Sequence, residues 1–156
     1  MRQLINDSYI QQTGLYLENI DGQTVLAAPV PKVHGYWASV DGSIFSLKHN
    51  KIGQLKPADN GNGYLFVILS LDGKSQKHYV SRLVASTFLV QPIELDAGGN
   101  TRNEVNHLDG NRMNNRLPNL EWCSSAENHV HAKRVLQSED FLASKFAAAY
   151  LASKAT

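Results

Sequence analysis

Residues 105–131 read VNHLDGNRMNNRLPNLEWCSSAENHVH, with six Asn, three His and little that would sustain a long regular element. EVNHL has the length and apolar content of a short strand, and DGNRMNNRLP is dense in turn-forming residues. NLEWC reads as a second strand, with Leu120 and Trp122 on the opposite pleat from Glu121. SSAENHVHAKRV reads as a helix capped by Ser124 or Ser125. The order is therefore strand, long loop, strand, helix. Asn128 and His131 lie three apart in the helix and share a face, while Asn106 and His107 stand where the first strand enters the loop. Packing the helix on the strand pair brings the two groups together.

Such a cluster suits one chemistry. Asn carbonyls are neutral oxygen donors, and Mg²⁺ keeps several waters and takes substrate phosphate oxygens for the rest of its shell. A neighbouring imidazole takes a proton from water near neutral pH, so an ion with a base supplies what phosphodiester hydrolysis requires. Each residue alone carries a plainer reading: Asp-Gly-Asn is a common turn, Asn-rich loops bond to their own backbone, and an isolated His is usually structural. Asn111, Asn114 and Asn115 read individually as loop-formers, Trp122 as core and His129 as exposed, and His34, His49 and His78 have no evident partner. It is the ordered string from Asn106 to Asn128 that needs a joint explanation.

Upstream, YWASV, SIFSL, YLFVILSL and HYV alternate with the turn signals DGS, DNGNG and LDGKS, which predicts an antiparallel meander from Gly35 to Val80. Asp72-Gly73 marks its clearest hairpin. SRLVASTFL, residues 81–89, groups Leu83, Val84, Phe88 and Leu89 on one face and predicts a short buried helix with Ser81 as N-cap. VQPIELDAGGNTRNE then forms a loop. In the first thirty residues GLYLENI and TVLAAPV flank Asp21-Gly22 and predict another hairpin, and Pro29 and Pro31 mark a boundary near residue 31. The tail, SEDFLASKFAAAYLASKAT, places Phe141, Leu142, Phe146, Tyr150 and Leu151 on one helical stripe. That stripe is expected to pack on its own domain, with a dimer or DNA contact as the alternatives.

Composition sets outer bounds. A hydrophobic share of 42% in 156 residues is that of a folded protein with a moderate core. One cysteine, Cys123, excludes an intramolecular disulfide and a zinc site of paired cysteines. MRQLINDSYIQQ lacks the apolar core of a signal peptide, no apolar run approaches the ~20 residues that span a bilayer, and a cytoplasmic protein with no membrane role is expected. The net charge of +1 hides an uneven spread: residues 32–134 carry twelve Lys or Arg against nine Asp or Glu, and residues 1–31 one against three. That excess is too small to identify a nucleic-acid binder by charge.

NHLDGNRMNNRLPNLEW followed by AEN resembles the HNH endonucleases found among phage intron-encoded homing enzymes. The likeness includes Asn106-His107, the Asp109-Gly110-Asn111 turn, Asn114-Asn115, Asn119 before Leu-Glu-Trp, and Asn128, all without a gap. GYLFVILSLDGKSQKHYVSRLVASTF is similar to the segment preceding the motif in that family, and YWASVDGSIFSL to its N-terminal strand module, so the resemblance covers roughly residues 35–132. It implies an α+β fold in which an antiparallel strand module precedes a ββα-metal (HNH) nuclease motif and a C-terminal helix. The corresponding divisions are an extension, 1–31, a DNA-binding strand module, 32–80, the HNH domain, 81–136, and the tail helix, 137–156.

The resemblance further implies a metal-dependent DNA endonuclease, phage-encoded and acting in a bacterial host, that leaves 5'-phosphate and 3'-hydroxyl ends. His107 would be the general base. Asn106 and Asn128 would hold one divalent ion, Mg²⁺ or Mn²⁺. Asn119 would bond across the loop and keep His107 oriented, and His131 would support the site or touch phosphate. Two positions depart from the family. Many members have Asp at Asn106, and since an amide contributes no charge, metal binding is expected to require DNA. The family often has His at Ser81, which implies altered local contacts there. Contacts to double-stranded DNA are expected from Lys48, Lys51, Lys56, Lys74, Lys77 and Arg82 of the strand module and from Arg112 and Arg116 beside the loop. Homodimerisation would run through the tail helix. Two other readings stay open on the residues alone: a DNA-binding module that keeps the fold but cuts poorly, and an interaction protein whose Asn-rich loop is only a scaffold.

Overall fold

Asp72 and Gly73 both adopt positive φ, 50° and 73°, the backbone of a two-residue turn whose twist matches that of the flanking strands. In the computed structural model, which describes residues 14–48 and 50–155, this turn joins β7 (Leu65–Leu71) to β8 (Lys74–Tyr79) in a six-pair antiparallel ladder. Val67 and Leu69 are buried on one face of β7, and Ile68 and Ser70 are exposed on the other, the alternation of a half-covered strand. The two-residue β6 (Ala58–Asp59) completes this sheet in the order β6-β7-β8.

The predicted N-terminal hairpin is present as β1 (Leu15–Glu18) and β2 (Thr24–Pro29). It continues through β3 (Tyr36–Ser39), β4 (Ile44–Ser46) and the two-residue β5 (Gly53–Gln54) as one antiparallel sheet in chain order. The sheet runs across residue 31 without a break: Ala27 and Ala28 pair with Ser39 and Ala38, and both alanines are fully buried. A small cluster of Leu17, Val25, Ala27 and Phe45 fills one face.

The buried helix, α1, spans Val80–Phe88, one residue earlier than the sequence suggests. Its N-cap is Tyr79, which has extended backbone and makes no side-chain cap bond. Ser81 is therefore not the cap but a buried residue of the first turn. The hydrophobic drive to bury Val80 against the sheet outweighs a hydroxyl cap worth about 1 kcal/mol. Leu83, Val84 and Phe88 meet Val67 and Leu69 of the second sheet, Ala38 and Ile44 of the first, and Val105 and Leu120 downstream, in one core cluster. Helix α1 is thus the shared support of the strand module and of the segment that carries the Asn and His residues.

That segment folds as β9 (Glu104–His107), a 3₁₀ turn (Leu117–Asn119), β10 (Leu120–Cys123) and α2 (Ser125–Gln137). Ser124 caps α2 through a complete capping box: its hydroxyl accepts from the Glu127 N–H, and the Glu127 carboxylate accepts from the Ser124 N–H. Arg102 clamps the same carboxylate at 2.7 Å, and Asp96, in the preceding loop, accepts from the Ser124 hydroxyl at 2.5 Å. Trp122 packs on the core with its indole N–H directed to the Leu89 carbonyl at 3.4 Å.

The chain ends in α3 (Glu139–Lys154). The expectation that its apolar stripe packs on its own domain is not met. Phe146, Tyr150 and Leu151 are 74%, 62% and 67% exposed; the side chains of Phe141 and Leu142, like His49, lie outside the described residues. Helical periodicity fixes which residues share a face, and here nothing among the described residues covers that face.

Candidate active site and the loop that holds it

Antiparallel pairing of β9 with β10 sets Asn106 opposite Glu121 and His107 opposite Leu120. Glu104 and Asn106, two residues apart, share a pleat. The Asn106 amide donates to Glu121 Oε1 at 2.9 Å, and the Asn128 amide, reaching over from α2, donates to Glu104 Oε2 at 2.9 Å. Two carboxylates therefore fix which end of each amide is which. Both Oδ1 atoms are left without a hydrogen bond among the described residues, and neither is sealed from solvent. Asn106, His107, Asn128 and His131 line one cleft of about 410 Å³, together with Tyr64, Glu104 and Arg112.

His107 is 5% exposed. Its Nε2 lies 2.9 Å from Asn115 Oδ1, and the Asn115 amide nitrogen donates to the Met113 carbonyl at 3.3 Å. An amide whose nitrogen is so engaged presents only its oxygen to the ring, so Nε2 carries the proton and Nδ1 is the basic nitrogen. Nδ1 has no hydrogen-bond partner among the described residues and is not fully sealed from solvent. Burial lowers the imidazole pKa below its ordinary 6.5, the Arg112 charge adds to this, and the Asn115 bond and Asp109 oppose it. The ring is thus kept neutral and ready to accept a proton close to neutral pH.

Asn119 organises the loop but does not reach His107. Its Oδ1 accepts from the Asp109 N–H at 2.9 Å, and its Nδ2 donates to Asp109 Oδ1 at 2.8 Å and to the Asn114 carbonyl at 2.9 Å. Asn114 donates to the other oxygen of Asp109 at 2.7 Å. Burial would raise the Asp109 carboxyl, but bonds from Asn114, the Asn111 N–H and Asn119 together hold it below the usual range. Orientation of His107 falls instead to Asn115, which the sequence offered only as a loop-former. Glu104, Glu121 and Tyr64 were also missed. Strand alternation and a β9–β10 register would have pointed to the two glutamates, whereas no local signal marks Asn115 or Tyr64.

The donor set tests whether a divalent ion fits. Among the described residues no group of three or more His, Cys, Asp or Glu is placed to hold a metal. The two free amide oxygens are hard, neutral and accessible, which suits an ion that keeps most of its waters and takes the rest of its ligands from a phosphate. Glu104 and Glu121, bonded to the amide nitrogens, add negative charge close behind them.

The predicted DNA-contact residues divide. Lys51, Lys56, Lys74, Lys77, Arg82, Arg112 and Arg116 are exposed. Lys77 lies over the Phe66 ring at 4.0 Å, and Arg82 donates to the Asn103 carbonyl at 2.9 Å. Lys48 is half-buried; it donates to the Ser70 carbonyl at 2.5 Å and lies over Tyr36, bonding the first sheet to the second. His129 is exposed as expected, and His78 Nε2 is buried without a hydrogen-bond partner among the described residues. Cys123 is buried, and burial pushes its thiol up to about 12, which leaves it inert. No described helix is long and apolar enough to cross a membrane.

No protein-family model matches the chain. Over 103 residues, 66% of this chain, it is 36% identical to the HNH endonuclease L245 of Acanthamoeba polyphaga mimivirus, and over 112 residues 32% identical to L247 of the same virus. It is 33% identical over 101 residues to YosQ of Bacillus subtilis (strain 168), named as an SPbeta prophage-derived HNH homing endonuclease. The fold matches a solved structure of the HNH homing endonuclease I-HmuI, in a study of its DNA binding and cleavage, with a TM-score of 0.54 and 26% identity over 78% of this chain and 65% of that one. Sequence and fold alike set this chain beside the HNH homing endonucleases. The HNH resemblance read from Asn106 to Asn128, and the α+β architecture it implied, both stand. The chain spans 28% and 26% of the length of the two mimivirus HNH proteins and 53% of the prophage one.

Proposed function

We propose that the chain is a DNA endonuclease of the HNH type, phage-encoded and acting in the bacterial cytoplasm, that hydrolyses phosphodiesters to 5'-phosphate and 3'-hydroxyl ends. The observation that carries this reading is the convergence of Asn106, His107 and Asn128 on one cleft, with His107 Nε2 set 2.9 Å from the Asn115 side-chain oxygen. Nδ1 of His107 takes the proton from the attacking water, and the Asn115 carbonyl steadies the imidazolium that results. Asn106 and Asn128 would hold one Mg²⁺ or Mn²⁺ through their free oxygens, and when bound it would neutralise charge on the phosphate and the leaving oxygen. Glu121 and Glu104 keep those oxygens turned outward. Asn119 keeps the loop closed through Asp109, and His131, one helical turn beyond Asn128, serves as a phosphate contact. Lys51, Lys56, Lys74, Lys77, Arg82, Arg112 and Arg116 engage the backbone of double-stranded DNA.

Supercoiled plasmid and long duplex DNA, incubated with wild type and with His107→Ala in Mg²⁺, Mn²⁺ or chelator, test this directly. The expected result is nicked or linear product that disappears with chelator and falls at least about a hundredfold in His107→Ala. A wild type that binds DNA in a salt-sensitive way yet leaves it intact would replace the nuclease with a binding module of the same fold.

A further inference from the structure

Tyr64 is outside the conspicuous motif, yet its ring stands at the join of three elements. It follows a turn stiffened by its own side chains. Asp59 Oδ1 accepts from the N–H groups of Gly61 and Gly63 at 2.8 and 2.9 Å, and Asn60 Oδ1 accepts from those of Asn62 and Tyr64 at 2.8 and 3.2 Å. The direction of the Tyr64 side chain is thereby set by the loop between β6 and β7. Its ring meets Tyr79, the last residue of β8, edge-on at 6.1 Å, and meets the His107 imidazole at 6.1 Å and 58°. The Arg112 guanidinium lies 4.7 Å from the same ring, and Arg112 donates back to the Asn62 carbonyl at 3.2 Å. The ring, the imidazole and the guanidinium all line the cleft.

An imidazole held by a single hydrogen bond at Nε2 still pivots about that bond. A second, aromatic contact removes the freedom, and Tyr64 supplies it. The contact also spans the molecule: the turn at 59–63 belongs to the sheet that carries Lys74 and Lys77, and Arg112 belongs to the loop between β9 and β10. We infer that Tyr64 is a positioning residue, whose ring holds His107 with Nδ1 free and ties that orientation to the basic β7–β8 sheet through the 59–63 turn and Arg112. The inference rests on His107 being the base, and it gives the strand module a part in assembling the site beyond gripping the substrate.

Two variants separate the ring from the hydroxyl: Tyr64→Phe keeps the ring, and Tyr64→Leu keeps only apolar bulk. The first readout needs no activity. NMR of nitrogen-labelled histidine in the metal-free protein should show a single sharp Nδ1 signal from His107 in wild type and Tyr64→Phe, and a shifted, broadened one in Tyr64→Leu, with Nε2 still protonated against Asn115. The second is the single-turnover cleavage rate at saturating protein, expected to fall about ten- to a hundredfold in Tyr64→Leu with DNA affinity held within about twofold, and to return in Tyr64→Phe. Wild-type imidazole signals in a folded Tyr64→Leu overturn the inference, whatever the protein does to DNA. Altered signals restored by Phe uphold it even if the wild type leaves DNA uncut, in which case only the nuclease reading falls. Should Tyr64→Leu fail to fold, cross-relaxation between the Tyr64 and His107 ring protons of the wild type decides: its presence upholds the contact and its absence overturns it.

Discussion

Replacing Asn115 by Ala removes the acceptor that lies 2.9 Å from His107 Nε2, at a site where both residues are 5% exposed. The imidazole then has two courses. It keeps the proton on Nε2 as a buried, unpaired donor, at a cost of about 1–3 kcal/mol, or it moves the proton to Nδ1 and gives up the nitrogen that faces solvent. The second course removes the working base, and the first leaves the imidazolium that forms in the reaction without its acceptor. At about 1.4 kcal/mol per factor of ten, the single-turnover rate should fall roughly 5- to 150-fold, with DNA affinity unchanged. Asn115→Asp is the companion perturbation, because it keeps the acceptor and adds a charge. A carboxylate against the ring favours imidazolium, whereas burial in the wild type depresses the His107 pKa. The base is active when unprotonated, so cleavage rises as pH climbs through that pKa, and the rising limb should lie below 6.5 in wild type and move to higher pH in Asn115→Asp. Plasmid nicking at saturating protein between about pH 5.5 and 8.5 reads both effects. Asn115→Ala cutting within about twofold of wild type would refute the tautomer argument, and so would an Asp limb that stays in place or moves to lower pH.

Gly42 has φ +91° and a Cβ there would lie 2.9 Å from the Asn115 carbonyl oxygen, so Gly42→Ala should lose about 1–3 kcal/mol in urea unfolding and slow cleavage by displacing Asn115; an unshifted midpoint would discount the contact. Leu120 is fully buried between α1 and the strand pair, so Leu120→Ala should cost about 2–5 kcal/mol by denaturant titration followed on tryptophan fluorescence, and a loss below about 1 kcal/mol would mean the core closes over the gap. Asp96 is held well below its ordinary 3.8 by the Ser124 hydroxyl and by Asn100, so its contribution to stability is present above that value and disappears as pH falls through the lower, folded-state pKa. Asp96→Asn should therefore be less stable at neutral pH and lose less on acidification than wild type, and parallel acid-denaturation curves would contradict the assignment.

The elements were legible where short-range chemistry decides them. Asp72-Gly73, Ser124 with Glu127, and the alternation of Val67 and Leu69 with Ile68 and Ser70 each settle a turn, a cap or a strand within a few residues. The cleft was legible for the same reason, since Asn106 and His107 leave one strand end and Asn128 sits in the first turn of the helix that must cover it. The division of labour inside the loop was not. Asn114, Asn115 and Asn119 are the same residue type within six positions, yet one braces Asp109, one holds the imidazole and one closes the loop. What separates them is proximity to distant chain: Gly42 leaves no room for a side chain beside the Asn115 backbone, and the Leu117 N–H donates to the Val40 carbonyl at 2.9 Å. A turn of the N-terminal sheet thus selects which asparagine is buried beside His107. The same dependence explains why α3 was misread. Periodicity assigns Phe146, Tyr150 and Leu151 to one stripe, but burial needs a surface to receive it, and none of the three joins the buried core among the described residues. In this chain the chemistry-bearing residues are local in sequence, while the contacts that hold the His107 ring, from Asn115 and Tyr64, are each placed by a different sheet of the strand module.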